Sequence, residues 1–185
     1  AGAATTGTGG IAGAIPVVVS QSTVRAGLGA GAKAAAGDSV VVCAELITGL
    51  YDVAGAFAAG SSAGVGITAS TAVLNNTVEA LVGNSAKLIA LASTAPGSGL
   101  SAGVKLPNRT DRRRGVIVGA YAKNRVLLAS MSGGAAGTAG VAGVVNTLVD
   151  KNTVRAVVGN SATITSGYDE SGDETGSDAE VAVEA

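Results

Sequence analysis

The 185 residues include 12 basic and 13 acidic side chains, one cysteine and no histidine or tryptophan, and 37 Ala, 29 Gly and 25 Val make up about half of the chain. With no histidine and a single cysteine, the chain lacks the common zinc, copper and haem ligand sets, a Ser-His-Asp site and an internal disulfide. Glycine has no period of three, which excludes collagen. The net charge of −1 gives no general attraction to nucleic acid.

An imperfect internal repeat organises the chain. It is present in four copies, which we number in chain order: residues 8–32, 39–90, 115–166 and 181–185. Copies 2 and 3 align over 52 residues without a gap at a constant offset of 76, and copy 1 matches the second half of copy 2 at an offset of 54. Copies 1 and 4 are partial. We therefore expect either a fragment of a long array or a subunit whose C-terminal end docks on the N-terminal end of the next molecule.

Within each copy the pattern favours β-strands. Apolar residues alternate at Val40, Val42 and Ala44, and Thr77–Val82 is rich in β-branched side chains. Because glycine and asparagine tolerate positive φ, we predict turns at four positions: Gly83, Asn84, Gly159 and Asn160. Short strands, glycine turns and a long repeat predict an all-β fold of the parallel β-solenoid type. We expect two or three coils per copy, with small and β-branched side chains pointing inward. The alternative is an antiparallel β-sandwich with Asp150–Asn152 as a hairpin turn.

The domain boundaries follow from changes in composition. Residues 1–167 form a single β-repeat domain that contains a loop rich in Pro, Gly and Ser at 93–112. Residues 168–180 form an acidic linker or tail, and residues 181–185 begin a further repeat strand. Two uncharged stretches, Val53–Asn76 and Val126–Val149, contain too much Gly, Ser and Thr to predict membrane-spanning helices.

Opposite charges gather in two segments. Seven of the 12 basic residues lie between positions 105 and 125, and seven of the 13 acidic residues lie after position 168. One interpretation is a solvated loop and a solvated tail. The other is that the tail of one molecule meets the basic loop of the next, which would fix partner and register. For that contact, combined with strand pairing, the candidate residues are Arg109, Arg112, Arg113, Arg114, Asp173, Glu174, Asp178, Glu180, Val181 and Val183.

Other site types have weaker signals. The acids of the tail, Asp169, Asp173 and Asp178, offer a weak possibility of Ca²⁺ binding, although no EF-hand or nonapeptide calcium motif is present. Asn75 and Asn108 begin glycosylation sequons. Cys43, in an apolar run, is predicted to be an inert core residue. The sequence offers no catalytic residues, no cofactor-binding residues and no metal ligands, and too few aromatic residues to stack on nucleic acid.

The best-preserved copy resembles a known family. Residues 114–120 read RGVIVGA, residues 137–146 read GTAGVAGVVN, and residues 152–164 read NTVRAVVGNSATI. This pattern is similar to repeats of leukotoxin-type and filamentous haemagglutinin-like bacterial filamentous adhesins. The resemblance covers most of residues 8–166. It implies a β-solenoid, export, and a surface or extracellular role. Those proteins are much longer, and the acidic tail does not belong to the repeat.

Together these features predict a secreted structural protein and not an enzyme. It would be a subunit or segment of a bacterial surface filament, with itself as head-to-tail partner through β-strand augmentation. The alternative is an adhesin module that binds host-cell or matrix glycans, or a host receptor, through the 93–114 loop. A β-helix enzyme acting on polysaccharides is less favoured. We expect no nucleic-acid partner and no membrane span.

Overall fold

The computed structural model of the chain describes residues 2–92, 104–106, 110, 112–169, 171–175 and 179–185, and in them it forms β-strands and no helix. The strands are β1 (Gly2–Ala14), β2 (Val17–Leu28), β3 (Lys33–Ala36), β4 (Val40–Val82), β5 (Lys87–Ala90), β6 (Val104–Lys105), β7 (Arg112–Ala136), β8 (Ala139–Val158), β9 (Thr163–Ser166) and β10 (Ala179–Glu184). The all-β class predicted from the alternating pattern is therefore confirmed. No helix of the described residues has the length and hydropathy needed to cross a membrane.

The sheets are built by parallel pairing. One sheet follows the order β1-β4-β7-β10, with β2 and β8 also paired to β4, and a second sheet follows the order β3-β5-β9. β1 with β4, β10 with β7, and both pairs of the second sheet are parallel. The short β6 is antiparallel to the start of β7. The antiparallel sandwich is therefore wrong. Asp150–Asn152 also makes no turn, because these residues lie inside β8.

The pairing register follows the offsets of the sequence repeat. Lys33 pairs with Lys87, an offset of 54, and Lys87 pairs with Thr163, an offset of 76. Copies 1, 2 and 3 therefore lie side by side, and each contributes one layer at these strands. The expectation of two or three coils per copy is wrong, because the strands are far longer than short alternating runs suggested. β4 alone has 43 residues.

The chain divides into two compact units. Unit 1 consists of Ala1–Ser22, Ile47–Asn76 and Lys123–Asn152, and unit 2 consists of Thr23–Leu46, Thr77–Ala122 and Thr153–Ala185. In unit 2 the core contains Val and Leu side chains, including Val78, Leu88 and Val118, all fully buried. The prediction that β-branched residues point inward holds for this unit.

In unit 1 the interior is made of much smaller residues. Ala54, Ala56 and Ala58 of β4 are buried, and the later part of the same strand faces the last two of them through Gly66 and Gly64. A Cβ built on Gly66 would lie 3.0 Å from the carbonyl oxygen of Ala56 and would overlap that of Gly133. The facing backbones are too close for valine or isoleucine between them. Valine and isoleucine are therefore mostly on the outside of unit 1, opposite to the sequence-based prediction.

The predicted turns at residues 83–85 and 159–161 are present, but glycine and asparagine have different roles from those expected. The residues with positive φ are Ser85 and Ser161. Gly83 is needed because its Cβ would lie 2.5 Å from the backbone nitrogen of Ala30 in the adjacent turn. The backbone N–H of Asn160 donates to Oδ1 of Asn84 over 2.9 Å. Close stacking of successive turns thus explains these side chains better than backbone conformation does.

Three charged side chains of unit 2, one from each of copies 1, 2 and 3, form a column across neighbouring strands. Glu79 is buried, and its carboxylate lies 2.6 Å from Nε of Arg25 and 3.5 Å from Nη1 of Arg155. These residues occupy equivalent positions of copies 1, 2 and 3. Three identical charges in such a column would repel one another. The sign therefore alternates from copy to copy, which explains why this position varies between otherwise similar copies.

Candidate functional site

The candidate site is the sheet edge formed by β10 on β7. Val181 pairs with Val116, and Val183 pairs with Val118. Paired residues of neighbouring strands place their side chains on the same side of a sheet. Val116 and Val118 belong to the buried core of unit 2, so Val181 and Val183 extend this side of the core onto the next strand. Both are about half exposed, which leaves apolar core-side surface open beside β10.

Charged side chains hold β10 in this register. Nη1 of Arg113 lies 3.0 Å from Oε1 of Glu180 and 2.8 Å from Oε1 of Glu184. The hydroxyl of Tyr121 donates to Oε2 of Glu184 over 3.1 Å. One basic residue of the 105–125 segment and two acidic residues of the tail therefore meet within one molecule, and the contact between molecules stays a prediction. Glu184 and Tyr121 were not among the predicted residues, because nothing in their local sequence distinguishes them.

On the other side of β10 a small apolar cluster covers the sheet. Ala182 is buried against Ile117 and Leu106. Leu106 follows β6, which pairs through Val104 with Arg113. The segment that includes Leu106 was predicted to be a surface loop. Its described part instead packs on β7 and β10, because Ile117 points away from the main core and needs its own cover.

Gly115 allows β7 and β10 to approach each other. Its φ is +115°, and its partner in the sheet is Glu180. A Cβ at Gly115 would overlap the backbone oxygen of Glu180 and Oγ of Ser166. The backbone N–H of Gly115 donates to Oγ of Ser39, its counterpart in copy 2, over 3.2 Å. Gly115 was not among the predicted site residues, although the replacement of Ser39 by glycine in copy 3 is a visible signal in the sequence.

The other predicted assembly residues lie apart from this contact or outside the described residues. Nε of Arg114 is 3.8 Å from Oδ1 of Asp38, and Arg112 is exposed at the start of β7. Asp173 and Glu174 are exposed in a turn. Arg109 and Asp178 fall outside the described residues, as does Asn108, one of the two predicted sequon asparagines. Asn75, the other, is exposed on β4.

The described part of the acidic segment forms a compact turn. Oδ1 of Asp169 accepts hydrogen bonds from the backbone N–H groups of Ser171 and Asp173, over 2.8 and 3.0 Å. The backbone N–H of Thr175 donates to the carbonyl of Gly167. No group of three or more Cys, Asp or Glu side chains in the described parts of the chain is placed to hold a metal ion.

Cys43 lies on the side of β4 opposite to Val42 and Ala44, and it is half-buried. The prediction of a core residue is therefore wrong, because the core side of this strand belongs to the even-numbered residues. Burial raises the pKa of the thiol, and the nearby charge of Glu45 raises it further.

A raised thiol pKa predicts slow alkylation. At about pH 8, iodoacetamide should modify Cys43 several-fold more slowly in the folded protein than in urea, because only the thiolate reacts. The rate should rise with pH, and Glu45→Gln should increase it at fixed pH by removing the second cause. Mass spectrometry of timed samples measures these rates. Equal rates in the folded and unfolded chain would contradict the prediction.

Comparisons of this chain with protein-family models, with curated proteins and with solved structures found no match.

Proposed function

We propose that this chain is an extracellular structural protein, a segment or subunit of a bacterial surface filament, which lengthens by parallel addition of β-layers as in a β-solenoid. The observation that carries the proposal is the register of β10: Val181 and Val183 lie beside Val116 and Val118 and repeat their chemistry. The resemblance of residues 114–164 to repeats of filamentous adhesins supports the same role and an exported location.

The physical basis is strand augmentation. Strands at the edge of a sheet keep backbone N–H and C=O groups that another strand can pair with. At β10 these groups lie beside the half-exposed Val181 and Val183, so an added layer would bury apolar surface as well as form hydrogen bonds. Charged residues on the opposite side, above all Arg113 with its two glutamates, would fix which strand is accepted and in which register.

Electron microscopy tests this proposal. We expect the purified 185-residue chain to form uniform fibres in negative stain near neutral pH and at moderate salt. Removal of residues 178–185 should abolish them, because it removes β10, whereas Glu45→Gln, at an exposed position of β4, should leave them unchanged. Discrete particles at every protein concentration would contradict self-assembly. Fibres that survive the truncation would contradict the role of β10.

The alternative is a module that binds host glycans or a host receptor through the 93–114 loop. Most of that loop lies outside the described residues. The same truncation separates the two functions, because a binding module should keep its ligand when residues 178–185 are removed, whereas assembly should fail.

A further inference from the structure

Unit 1 has an unusual distribution of residue types. It contains 16 of the 19 large apolar side chains that are exposed in the described residues, and only five of the 25 charged residues of the chain. Its interior consists largely of glycine, alanine and small polar side chains. An accumulation of exposed apolar side chains in one unit indicates a binding surface.

The apolar surface covers two opposite faces. Residues 47–59 and 65–75 of β4 face each other across the interior, where the hydroxyl of buried Ser70 donates to the carboxylate of buried Asp52. Outer side chains on the two stretches must therefore point in opposite directions. The first face presents Phe57 with Leu127 and Met131 of β7, and the second presents Ile67 with Val145 of β8.

Charges in unit 1 are confined to one end, apart from the buried Asp52. At this end, which we call the polar end, Nδ2 of Asn124 donates to the carboxylate of Asp150 over 2.9 Å, and Nδ2 of Asn76 donates to Oδ1 of Asn124 over 3.2 Å. Lys123, Arg125 and Lys151 are exposed at this end, where Asp150 is the one acidic residue that unit 1 contributes. The opposite end, around Gly60–Gly64, carries no charge.

We propose that unit 1 binds an anionic lipid surface, with its outer apolar side chains in the lipid and its cations against the headgroups. The first face, which includes Leu127 and Met131 of β7, has the exposed Lys123 and Arg125 on the same strand, so a single lipid surface can contact both the apolar side chains and these cations. Three cations against one carboxylate complement anionic headgroups. In the described residues β8 pairs with β4 alone, so its other edge keeps backbone groups that hydrocarbon cannot satisfy. Binding is therefore interfacial. This inference does not depend on the proposed filament.

Vesicle co-sedimentation tests the proposal on the intact chain. We expect binding to phosphatidylcholine vesicles that contain phosphatidylglycerol, and weaker binding to phosphatidylcholine alone. Leu127→Thr with Met131→Thr should weaken binding about tenfold through the lost burial of two side chains. The control is Tyr168→Thr in unit 2, which lies outside the contact of β10 with β7. Tyr168 is 48% exposed, close to the 52% of Leu127, and its replacement should leave lipid binding unchanged.

The cationic part has its own variant. Lys123→Gln with Arg125→Gln should lower affinity for the anionic vesicles about tenfold at low salt and leave the weak binding to phosphatidylcholine unchanged. Absence of binding to both vesicle types would overturn the proposal. Equal losses of binding in the unit 1 double variant and its unit 2 control would also overturn it. So would a wild-type dimer in light scattering that dissociates in the unit 1 variant, if the wild type does not bind lipid.

A fluorescence measurement locates the contact independently of affinity. The chain has no tryptophan, so Phe57→Trp and Val183→Trp each introduce a single reporter, one in each unit. On vesicles with brominated acyl chains, we expect strong quenching for Phe57→Trp and little for Val183→Trp. Equal quenching of the two would overturn the assignment to unit 1. Far-UV circular dichroism of each variant verifies that its β-structure is retained.

Discussion

Gly115→Ala is expected to release β10 from the sheet and to destabilise the protein by about 2–4 kcal/mol. The substitution places a Cβ at a residue with φ of +115°, a conformation that residues with a side chain rarely adopt. The new methyl would also lie 2.8 Å from the backbone nitrogen of Glu180 and overlap its oxygen. Because these atoms are backbone, no side-chain rotation can relieve the contact. Separation of β10 from β7 is the simplest relaxation.

Two measurements check this expectation. Urea unfolding should show a lower midpoint, and hydrogen exchange in residues 179–184 should become fast. Gly37→Ala is the control. Gly37 lies in the same unit as Gly115, and a Cβ at this position would meet no atom within 4 Å. Unchanged protection of β10 in Gly115→Ala would show that the strands do not depend on close approach at Gly115. If β10 drives assembly, the same variant should also fail to form fibres.

Gly66→Ala should destabilise unit 1 by about 2–3 kcal/mol through overpacking. The strands that face each other across the interior approach so closely here that an added Cβ would lie 3.0 Å from the carbonyl oxygen of Ala56 and 3.1 Å from the carbonyl carbon of Gly133. Both contacts are with backbone atoms, so the facing strands themselves must move apart. Separation would strain the parallel pairing on both sides of β4.

A second glycine of unit 1 is a matched control for this variant. A Cβ on Gly143 of β8 would meet open space, and Gly143→Ala should be neutral or stabilise by up to about 1 kcal/mol because alanine has less freedom in the unfolded chain. Urea midpoints for the two variants give the comparison. Equal midpoints would show that the interior of unit 1 has room for a methyl group, against the packing described above.

The class of structure and the alignment of the repeat copies were predictable from the sequence. Alternation at Val40, Val42 and Ala44 predicted strands, and the offsets of 54 and 76 between copies reappear as the offsets between paired strands. Identical short segments pair most readily in register, because each buried side chain then meets its own counterpart. The same alignment places Arg25, Glu79 and Arg155 at equivalent positions of copies 1, 2 and 3. Because equivalent positions become neighbours in the sheet, the alternating sign of these charges was already visible in the sequence.

The buried side of each strand and the pairing of the charged side chains depend on tertiary packing. Unit 1 and unit 2 both contain alternating strands, but valine is inside one and outside the other, because the distance between facing layers depends on glycines remote in sequence, such as Gly66 and Gly133. Arg113 meets Glu180 and Glu184 within one molecule because parallel pairing returns residue 180 to the side of residue 115. The local periodicity of the sequence gives neither the spacing between facing strands nor the position of Arg113 relative to the two glutamates. It establishes that a strand has two faces, and the packing between layers determines what each face contacts.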